Sequence, residues 1–360
     1  MSISRRLFVL GLLPGGALAQ GLVLQPRALA FARDHGAHPE WRTEWWYLTG
    51  HLQDGDAPIG FQLTFFRTRV DEAQGVRSRL AARQLLMAHA AVTDVGAQQH
   101  WHGQRLARWN GEPPTQAGQG AYTALHDTDA TLGTWRLWRD AANGSYQGRV
   151  QTPDFALSLQ ASPTQPLLLQ GEQGFSRKGP DPTQSSFYVT EPQLAVQATL
   201  RQGGRSRTLR GTAWLDHEWS EALLHPDAVG WDWVGMNLDD GSALTVFQLR
   251  RADGSALWRG GSWRPAGQAA RSFAPDELRL EPLRRWTSPR HRQSYPVRWR
   301  LHTPVGQWEV NSLLDDQEMG GLGQGGPVYW EGLSDLLDSQ GQRVGRGYLE
   351  MTGYAAPLQL

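Results

Sequence analysis

The sequence predicts an all-β protein made of two related antiparallel β-barrel domains, with few short helices. Three observations lead to this fold class. The chain contains 41 Gly and 21 Pro, which interrupt it too often for long helices. Runs of β-rich or alternating composition lie between these breakers, and turn signals such as Asp54-Gly55 and Asn143-Gly144 separate several runs. The third observation is one strand pattern that occurs in both halves of the chain.

The first element is an export signal. Residues 1–19 contain the pair Arg5-Arg6, an apolar stretch from Leu7 to Leu13 and the small-residue motif Ala17-Leu18-Ala19. This order is typical of a secretory signal that is cleaved near Ala19. Ser4 to Val9 also fits a twin-arginine signal, so both export routes are compatible with the sequence. We therefore expect a periplasmic or secreted mature protein without a transmembrane segment, since the apolar stretch is too short to span a bilayer.

The predicted strands follow in order, with two short helical pieces among them. The runs of strand character are Trp45–Leu52, Ile59–Phe66, Trp135–Trp138, Phe155–Leu159, Leu194–Leu200, Ala243–Leu249, Val297–Leu301 and Trp308–Leu313. Short helices are expected at Ser78–Ala91 and Ser220–Leu224. A long antiparallel β protein of this kind is usually a barrel or a sandwich.

An internal repeat divides the chain into two units. Trp45-Trp46-Tyr47 recurs as Trp231-Asp232-Trp233, and each copy leads at the same spacing into a turn and a strand that ends in arginine. The far ends of the units also match, because Gly211–Asp216 resembles Gly345–Glu350. Chance similarity among β-strands is the alternative explanation. The predicted domains are residues 31–219 and residues 220–360.

Barrel closure predicts which strands become neighbours. If each unit closes, its first strand pairs with its last, because closure removes the exposed edges. Glu44-Trp45-Trp46 would then lie beside Trp214–Trp219, and Trp231–Trp233 beside Tyr348–Glu350. This topology brings carboxylates and indoles together.

Composition and missing motifs exclude several classes of function. The chain has 35 basic and 35 acidic side chains, which removes the basic surface expected of a nucleic-acid-binding protein. It has no cysteine, so disulfides, thiolate catalysis and Cys-ligated zinc are excluded. Gly321–Gly326 matches a dinucleotide fingerprint but precedes a strand-like segment, and the His pairs at residues 35–38 and 100–102 have no third-ligand pattern. We expect neither a metal nor a cofactor.

The densest group of chemically capable residues is Trp214–Trp219. In a strand, Asp216 and Glu218 share one face while His217 and Trp219 share the other. Paired carboxyls beside large apolar rings suit acid–base catalysis, because desolvation raises the pKa of one carboxyl and keeps it protonated. The structural alternative is that the rings cap a barrel floor and the acids bond to strand ends or arginines.

Two single residues are further candidates. Glu44 directly precedes two indoles that leave little water around its carboxyl. Lys178 is the only lysine, so 34 of the 35 basic residues are arginine. A chain that otherwise uses arginine has reason to keep lysine where a compact amine with a tunable pKa is required, although a chance remnant is an equal explanation.

The segment Asp34–Gly50 resembles the opening signature of the AttH-like, lipocalin-like family, which includes carotenoid 1,2-hydratases. The resemblance covers essentially the whole mature chain. It continues at Gly174–Gly179, Ser185–Tyr188, Trp214–Trp219, Trp231–Trp233, Gln317-Glu318, Tyr329–Gly332 and Gly347–Tyr354.

The resemblance implies two calycin-type barrels and a role with lipids or isoprenoids. In the hydratases, water adds across a terminal C=C bond without a redox cofactor. Carried onto this chain, Asp216 or Glu218 would be the acid, His217 a base or orienting group, and Glu44 a further catalytic candidate. The residues expected to bind the substrate or to shield a transient cation are Trp45, Trp46, Trp219, Trp231, Asp232, Trp233, Lys178, Tyr188, Tyr329 and Glu331.

One departure leaves the reaction type open between hydration and hydrolysis. Asp216-His217-Glu218-Trp219 followed by Trp231-Asp232-Trp233 resembles the AttH branch more than the hydratases proper. Proteins of this branch are associated with transport systems for lipids or lipoproteins. A non-catalytic carrier of an apolar molecule, with an envelope transporter as partner, is therefore the alternative to an enzyme.

Overall fold

The computed structural model describes residues 23–112, 120–320 and 328–358. The predicted signal peptide and Gly321–Gly326 lie outside the described residues. The fold is all-β, as the sequence predicts, and the described helical segments are three single turns of 3-10 helix, at Arg33–His35, Asp71–Ala73 and Pro275–Glu277. No described helix has the length and apolar character that a membrane crossing requires.

The described strands of the N-terminal half form one curled antiparallel sheet in the order β4-β3-β2-β1-β13-β12-β9-β8-β7-β6-β5, with β10 and β11 also paired to β12. The strands are β1 (Thr43–Asp54), β2 (Ala57–Arg69), β3 (Gln84–Asp94), β4 (Gln99–Trp109), β5 (Ala121–Thr123), β6 (Asp129–Leu132), β7 (Trp135–Arg139), β8 (Tyr146–Gln151), β9 (Phe155–Ser162), β10 (Leu168–Leu169), β11 (Phe175–Arg177), β12 (Ser185–Gln202) and β13 (Arg205–Ser220).

The C-terminal half forms a second curled antiparallel sheet in the order β17-β16-β15-β14-β23-β22-β20-β19-β18, with β21 also paired to β22. The strands are β14 (Gly230–Leu238), β15 (Ala243–Arg250), β16 (Ala256–Arg264), β17 (Arg271–Phe273), β18 (Arg279–Thr287), β19 (Ser294–Thr303), β20 (Gly306–Ser312), β21 (Glu318–Met319), β22 (Tyr329–Leu337) and β23 (Arg343–Met351).

In both sheets the first strand pairs with the last, as predicted. Trp45 lies opposite Glu218 and Tyr47 opposite Asp216 in the β1–β13 ladder. Trp233 lies opposite Glu350 in the β14–β23 ladder. Each barrel is open at a different position. The described sheet edges are β4 and β5 in the first barrel and β17 and β18 in the second, and these consecutive strands do not pair. Seven of the eight predicted strand runs lie within observed strands, and the eighth, Trp308–Leu313, extends one residue beyond β20.

The two predicted helices are wrong. Most of Ser78–Ala91 belongs to β3, which pairs with β2 and β4 through its whole length. Ser220 is the last residue of β13, and residues 221–224 form an irregular connection to the second sheet. At the start of β3, Leu86 and Ala88 are buried while Leu85 is exposed and Met87 half-buried, which is the period of a strand, and most of the remaining strand is buried on both faces.

Three of the five groups of buried apolar side chains in the described part of the chain account for most of the packing. One fills the interior of the first barrel and includes Trp46, Leu48 and Leu63. A second fills the interior of the second barrel. The third lies between the barrels and joins their outer faces, with Tyr47, Trp214, Ala228, Trp233, Ala243, Phe247, Leu249, Leu333 and Tyr348. Because successive residues of a strand face opposite sides, β1 contributes Trp46 to the barrel and Tyr47 to the interface.

Candidate active site

A cavity of about 60 Å³ lies between the two barrels, outside both barrel interiors. Both sheets and the connection between them contribute to its wall, which consists of Trp45, Tyr47, Phe66, Lys178, Tyr188, Asp216, Glu218, Leu223, Leu224, Trp231, Trp233, Phe247, Leu249 and Glu350. This volume holds a few water molecules or the reactive end of a larger molecule.

Asp216 is the central polar group of this wall. Tyr188 and Thr190 donate hydrogen bonds to its carboxyl from hydroxyls at 2.7 and 2.6 Å, and the indole N–H of Trp214 donates a third at 2.9 Å. Burial raises the pKa of Asp216 to about 7, because desolvation outweighs these donors and the nearby Glu218 charge acts in the same direction. Near neutral pH this carboxyl is therefore poised between an acid and a base.

Glu350 is the counterpart of Asp216 on the second sheet. Burial raises its pKa to about 7, and the negative charges of Asp216 and Glu218 add to that shift against a hydrogen bond of 3.0 Å from the Trp231 indole. Glu331 lies directly opposite Glu350 in the β22–β23 ladder. Burial, and then the charge of Glu350, raise the pKa of Glu331 well above its usual range, so this carboxyl stays neutral.

Glu218 has a different environment from Asp216, although both lie on one face of β13. Lys178 Nζ lies 2.9 Å from Glu218 Oε1, and both side chains are almost fully buried. The Ser186 hydroxyl also donates to Glu218. The ammonium group lies 4.4 Å from the ring centre of Tyr188 and 4.2 Å from that of Phe247, which stabilises its charge further.

We expect Lys178→Met to lower the free energy of unfolding by about 2 kcal/mol, because it leaves the Glu218 carboxylate buried with one hydroxyl partner. The double variant Lys178→Met with Glu218→Gln should recover most of this loss. Urea denaturation of the wild type, both single variants and the double variant measures the coupling. Equal stability of Lys178→Met and the double variant would contradict the ion pair.

The mouth of the cavity is apolar. Trp45 from the first sheet and Trp231 from the second are half-buried and stack with ring centres 6.3 Å apart. Phe66 and Leu224 are half-buried beside them. This rim faces solvent with carbon and aromatic surface, while the carboxyls lie inside. The arrangement suits a molecule whose apolar part lies between the indoles.

Glu44 and His217 lie on the other side of the sheet, in a buried ionic network at one end of the first barrel. Glu44 is fully buried, and its carboxylate accepts a hydrogen bond from Arg67 Nε at 2.8 Å. His38 Nδ1 and His217 Nε2 lie 2.8 and 3.0 Å from Glu44 Oε1. Burial opposes ionisation, but the charges of Arg67 and His38 hold the pKa of Glu44 well below its usual range.

His38 completes this network. Its second ring nitrogen lies 3.0 Å from Asp34 Oδ1, so carboxylates face both nitrogens. Burial lowers its pKa, but Glu44 and Asp34 outweigh burial and the net shift is upward. The ring stacks on Trp219 with centres 3.8 Å apart. Trp219 therefore contacts the ring of His38 and does not line the cavity.

His38, Glu44 and His217 also have a spacing that a metal ion could use, since their ligand atoms lie within 4.8 Å of one another. Their hydrogen bonds favour a structural role over metal binding. Arg67 places a guanidinium on the same carboxylate, and both ring nitrogens of His38 already lie within hydrogen-bond distance of carboxylate oxygens. We interpret His38, Glu44 and His217 as a structural network of hydrogen bonds and ion pairs.

The remaining predicted residues lie around the cavity without lining it. Trp46 belongs to the interior of the first barrel. Asp232 accepts from Gln248 at 2.8 Å and pairs with Arg250 at 3.0 Å, as Glu44 pairs with Arg67 in the first sheet. Tyr329 and Glu331 both accept hydrogen bonds from Gln62 at the contact between the barrels.

The structure thus brings seven of the predicted residues to one cavity: Asp216, Glu218, Lys178, Tyr188, Trp45, Trp231 and Trp233. Sequence reasoning missed Glu350, Tyr47 and Phe247 as wall residues. A signal for Glu350 was present, because the repeat aligns Gly211–Asp216 with Gly345–Glu350 and so makes Glu350 the equivalent of Asp216. The two acids face one shared cavity because the outer faces of β1–β13 and β14–β23 pack together.

The fold and the site define a class: tandem lipocalin-like barrels with an acid-lined cavity between them. The AttH-like family model matches residues 22–354, and the chain belongs to this family. A crystal structure of an AttH protein from Nitrosomonas europaea is similar, with 42% identity, a TM-score of 0.83, and coverage of 92% of this chain and 99% of that one.

Two further solved structures share the fold at low sequence identity. Kievitone hydratase from Nectria haematococca has 12% identity and a TM-score of 0.67, over 91% of this chain and 94% of its own. CghA has 13% identity and a TM-score of 0.53, over 86% of this chain and 87% of its own. No curated protein matches the chain by sequence.

Proposed function

We propose that this protein is a hydratase-type enzyme that adds water to a C=C bond of an apolar small molecule, an isoprenoid or a lipid, in the cavity between the barrels. The observation that carries the proposal is the pair Asp216 and Glu350, two buried carboxyls with pKa values of about 7 that come from different sheets and line one largely apolar cavity. The fold shared with a protein named kievitone hydratase supports the same reaction class.

In the proposed reaction, protonated Asp216 transfers its proton to one alkene carbon, and the other carbon becomes a cation. The indoles of Trp45 and Trp231 lie at the mouth, where their faces stabilise this charge. Water adds its oxygen to the cation, and ionised Glu350 accepts the proton that the water releases. The product is an alcohol, and proton exchange with solvent returns both carboxyls to their starting states.

Two coupled acids suit this mechanism near neutral pH. The charges of Asp216 and Glu218 raise the pKa of Glu350, and Asp216 itself has a pKa of about 7, so the state with one neutral and one ionised carboxyl is well populated around pH 7. Tyr188, Thr190 and Trp214 donate to Asp216 and so stabilise the carboxylate that remains after proton transfer.

The test is incubation of the purified protein with a panel of unsaturated isoprenoids and fatty acids in H₂¹⁸O. We expect mass spectrometry to detect an alcohol that carries one ¹⁸O atom. A panel that includes terminal and internal alkenes of about 10 to 20 carbons and yields no labelled alcohol would contradict the proposal.

We expect the rate of that reaction to have a bell-shaped pH profile centred near pH 7. The acidic limb reports protonation of the carboxyl that acts as base, and the alkaline limb reports loss of the proton that the acid must deliver. Initial rates between pH 5 and pH 9, in buffers of constant ionic strength, measure it. A rate that still rises above pH 8 would exclude a neutral carboxyl as the proton donor.

The second candidate is a non-catalytic carrier of the same class of molecule, and the apolar rim of Trp45, Phe66, Leu224 and Trp231 favours it. If the protein is a carrier, Trp231→Ala should weaken ligand binding and Asp216→Asn should leave it unchanged. The wild type should then show no turnover. Quenching of tryptophan fluorescence by the panel measures binding independently of turnover. In either function we propose export of the mature chain, which N-terminal sequencing of protein from the periplasm would test.

A further inference from the structure

A second and larger cavity, of about 340 Å³, adjoins the first. One wall is the segment from Gln170 to Arg177, which carries β11, and the opposite wall is formed by β16 and β17 of the second sheet. The proposed reaction does not use this cavity, although the motif Gly174–Gly179 contributes Phe175, Ser176 and Arg177 to its wall. Its polar wall residues are therefore unassigned.

Two guanidinium groups line this second cavity without a carboxylate partner in the described part of the chain. Arg259 forms no hydrogen bond there, and its buried Nε atom has no partner. Burial lowers its pKa, and no nearby acid compensates. Arg177 donates from Nη2 to two backbone carbonyls, but its buried Nε also has no partner. The acid on this wall, Glu172, is exposed and forms no ion pair with either described guanidinium.

Both guanidiniums are half-buried, and the N–H groups that have no partner among the described residues can bind an anion. The five N–H groups of arginine form a planar fork that matches the oxygens of a carboxylate or a phosphate. Trp258 lies beneath the Arg177 guanidinium at 5.2 Å, and its indole N–H donates to the Arg177 carbonyl, so this guanidinium is held in place. The second cavity is thus built as a cationic site with apolar surroundings.

A single aromatic ring separates the two cavities. Phe247 lines both of them, and Lys178 of the first cavity lies 4.2 Å from its ring centre. On the far side the ring packs against Gly260, where an added Cβ would lie 2.5 Å from Phe247 Cζ. The absence of a side chain at Gly260 lets the ring lie there. Arg177 and Lys178 are consecutive residues. Arg177 lines the second cavity, and Lys178 lines the first.

We propose that the second cavity binds the anionic headgroup, carboxylate or phosphate, of the same amphiphilic molecule whose apolar end enters the first cavity beside Phe247. This inference rests on the proposed function for the identity of the first cavity. It narrows the substrate class to unsaturated amphiphiles with one acidic end. Arg259 and Arg177 bind that end, and Trp45 and Trp231 contact the chain.

The test is binding, which is independent of turnover. Calorimetric titration of the full-length mature protein with dodecanoate, dodecyl phosphate and dodecanol compares two anionic headgroups and a neutral one on the same chain. We expect at least one anionic ligand to bind about 10-fold or more tightly than dodecanol. Which anion binds more tightly separates a fatty acid from a phosphorylated isoprenoid as the natural ligand.

Substitution of the two arginines tests whether the anion binds in the second cavity. Arg259→Gln and Arg177→Gln should each remove most of the preference for the anion and leave dodecanol binding unchanged. The matched control is Arg105→Gln, which removes another half-buried arginine that has no carboxylate partner, on β4 of the first sheet. Trp231→Ala should weaken all three ligands. Equal affinity for dodecanoate, dodecyl phosphate and dodecanol, or anion affinity that Arg259→Gln leaves unchanged, would overturn the inference.

Failure of this inference and failure of the proposed function give different results. If the labelled alcohol forms from neutral alkenes and the anions bind no better than dodecanol, the headgroup site is wrong and the hydratase stands. If the anions bind through Arg259 but no alkene gains ¹⁸O, the second cavity is a headgroup site of a carrier.

Discussion

Asp216→Asn should reduce turnover by about 10³-fold or more while the affinity for the apolar ligand stays within about 2-fold of the wild type. The amide has the size of the carboxyl but delivers no proton, and general acid catalysis together with charge stabilisation at the acceptor contributes factors of this order. Initial rates of ¹⁸O incorporation and fluorescence quenching by the same ligand measure the two quantities.

Stability provides an internal control for this variant. The pKa of Asp216 is raised from 3.8 to about 7 by burial, so its carboxyl favours the folded state at low pH and loses that contribution as pH rises from 4 to 7. Asn is neutral at every pH. Relative to the wild type, Asp216→Asn should therefore gain up to about 4 kcal/mol of stability between pH 4 and pH 8.

Glu350→Gln distinguishes the acid from the base. If Asp216 donates the proton and Glu350 accepts one from water, Glu350→Gln removes the acidic limb of the rate profile, whereas Asp216→Asn abolishes the rate at every pH. Wild-type turnover in Asp216→Asn would show that Asp216 is not the acid. A loss of ligand affinity in Asp216→Asn that is proportional to its loss of turnover would show the same.

Glu44→Ala should lower the free energy of unfolding by about 3–5 kcal/mol, the loss expected when one partner of a buried ion pair is removed. The fully buried carboxylate of Glu44 holds Arg67 at 2.8 Å, and His38 and His217 at 2.8 and 3.0 Å. Its removal leaves the guanidinium of Arg67 buried without a charge partner. The midpoint of urea denaturation measures this effect.

Two comparisons make this expectation specific. Glu40→Ala changes an exposed glutamate four residues away and should leave stability within about 0.5 kcal/mol of the wild type. Glu44→Gln keeps the shape but loses the charge and should also destabilise the protein. A Glu44→Gln protein with wild-type stability and no turnover would mean that Glu44 acts in catalysis and not in the network.

The sequence predicts strand pairing well because closure of each unit and the alternation of strands constrain it. Closure predicts that β1 lies beside β13, where Trp45 is opposite Glu218. Alternation predicts that Asp216 and Glu218 lie on one face of their strand. The predicted helix Ser78–Ala91 overlaps β3, where Leu85, Leu86, Met87 and Ala88 have high helix propensity. Pairing with β2 and β4 outweighs that propensity, since both neighbours offer complete ladders.

The position of the site could not be predicted, because it depends on which outer faces of the two barrels pack together. Asp216 and Glu350 are equivalent in the repeat, but a repeat alone places one acid in each unit. Glu44 looked catalytic because of its adjacent indoles, and its partner Arg67 lies 23 residues further along the chain. The same alternation that directs Asp216 to the interface directs Glu44 and His217 to the barrel interior.

The central claim is that a neutral carboxyl at Asp216 faces the cavity near pH 7, and infrared spectroscopy tests it without a substrate. The wild type should show the C=O stretch of protonated carboxyls at pH 5, and the amplitude contributed by Asp216 and Glu350 should disappear with a midpoint near pH 7 while the contribution of Glu331 persists. Part of that amplitude should be missing in Asp216→Asn and another part in Glu350→Gln. If the amplitude assigned to Asp216 titrates near pH 4, as for a solvated aspartate, the proposed acid is ionised at neutral pH and the mechanism is wrong.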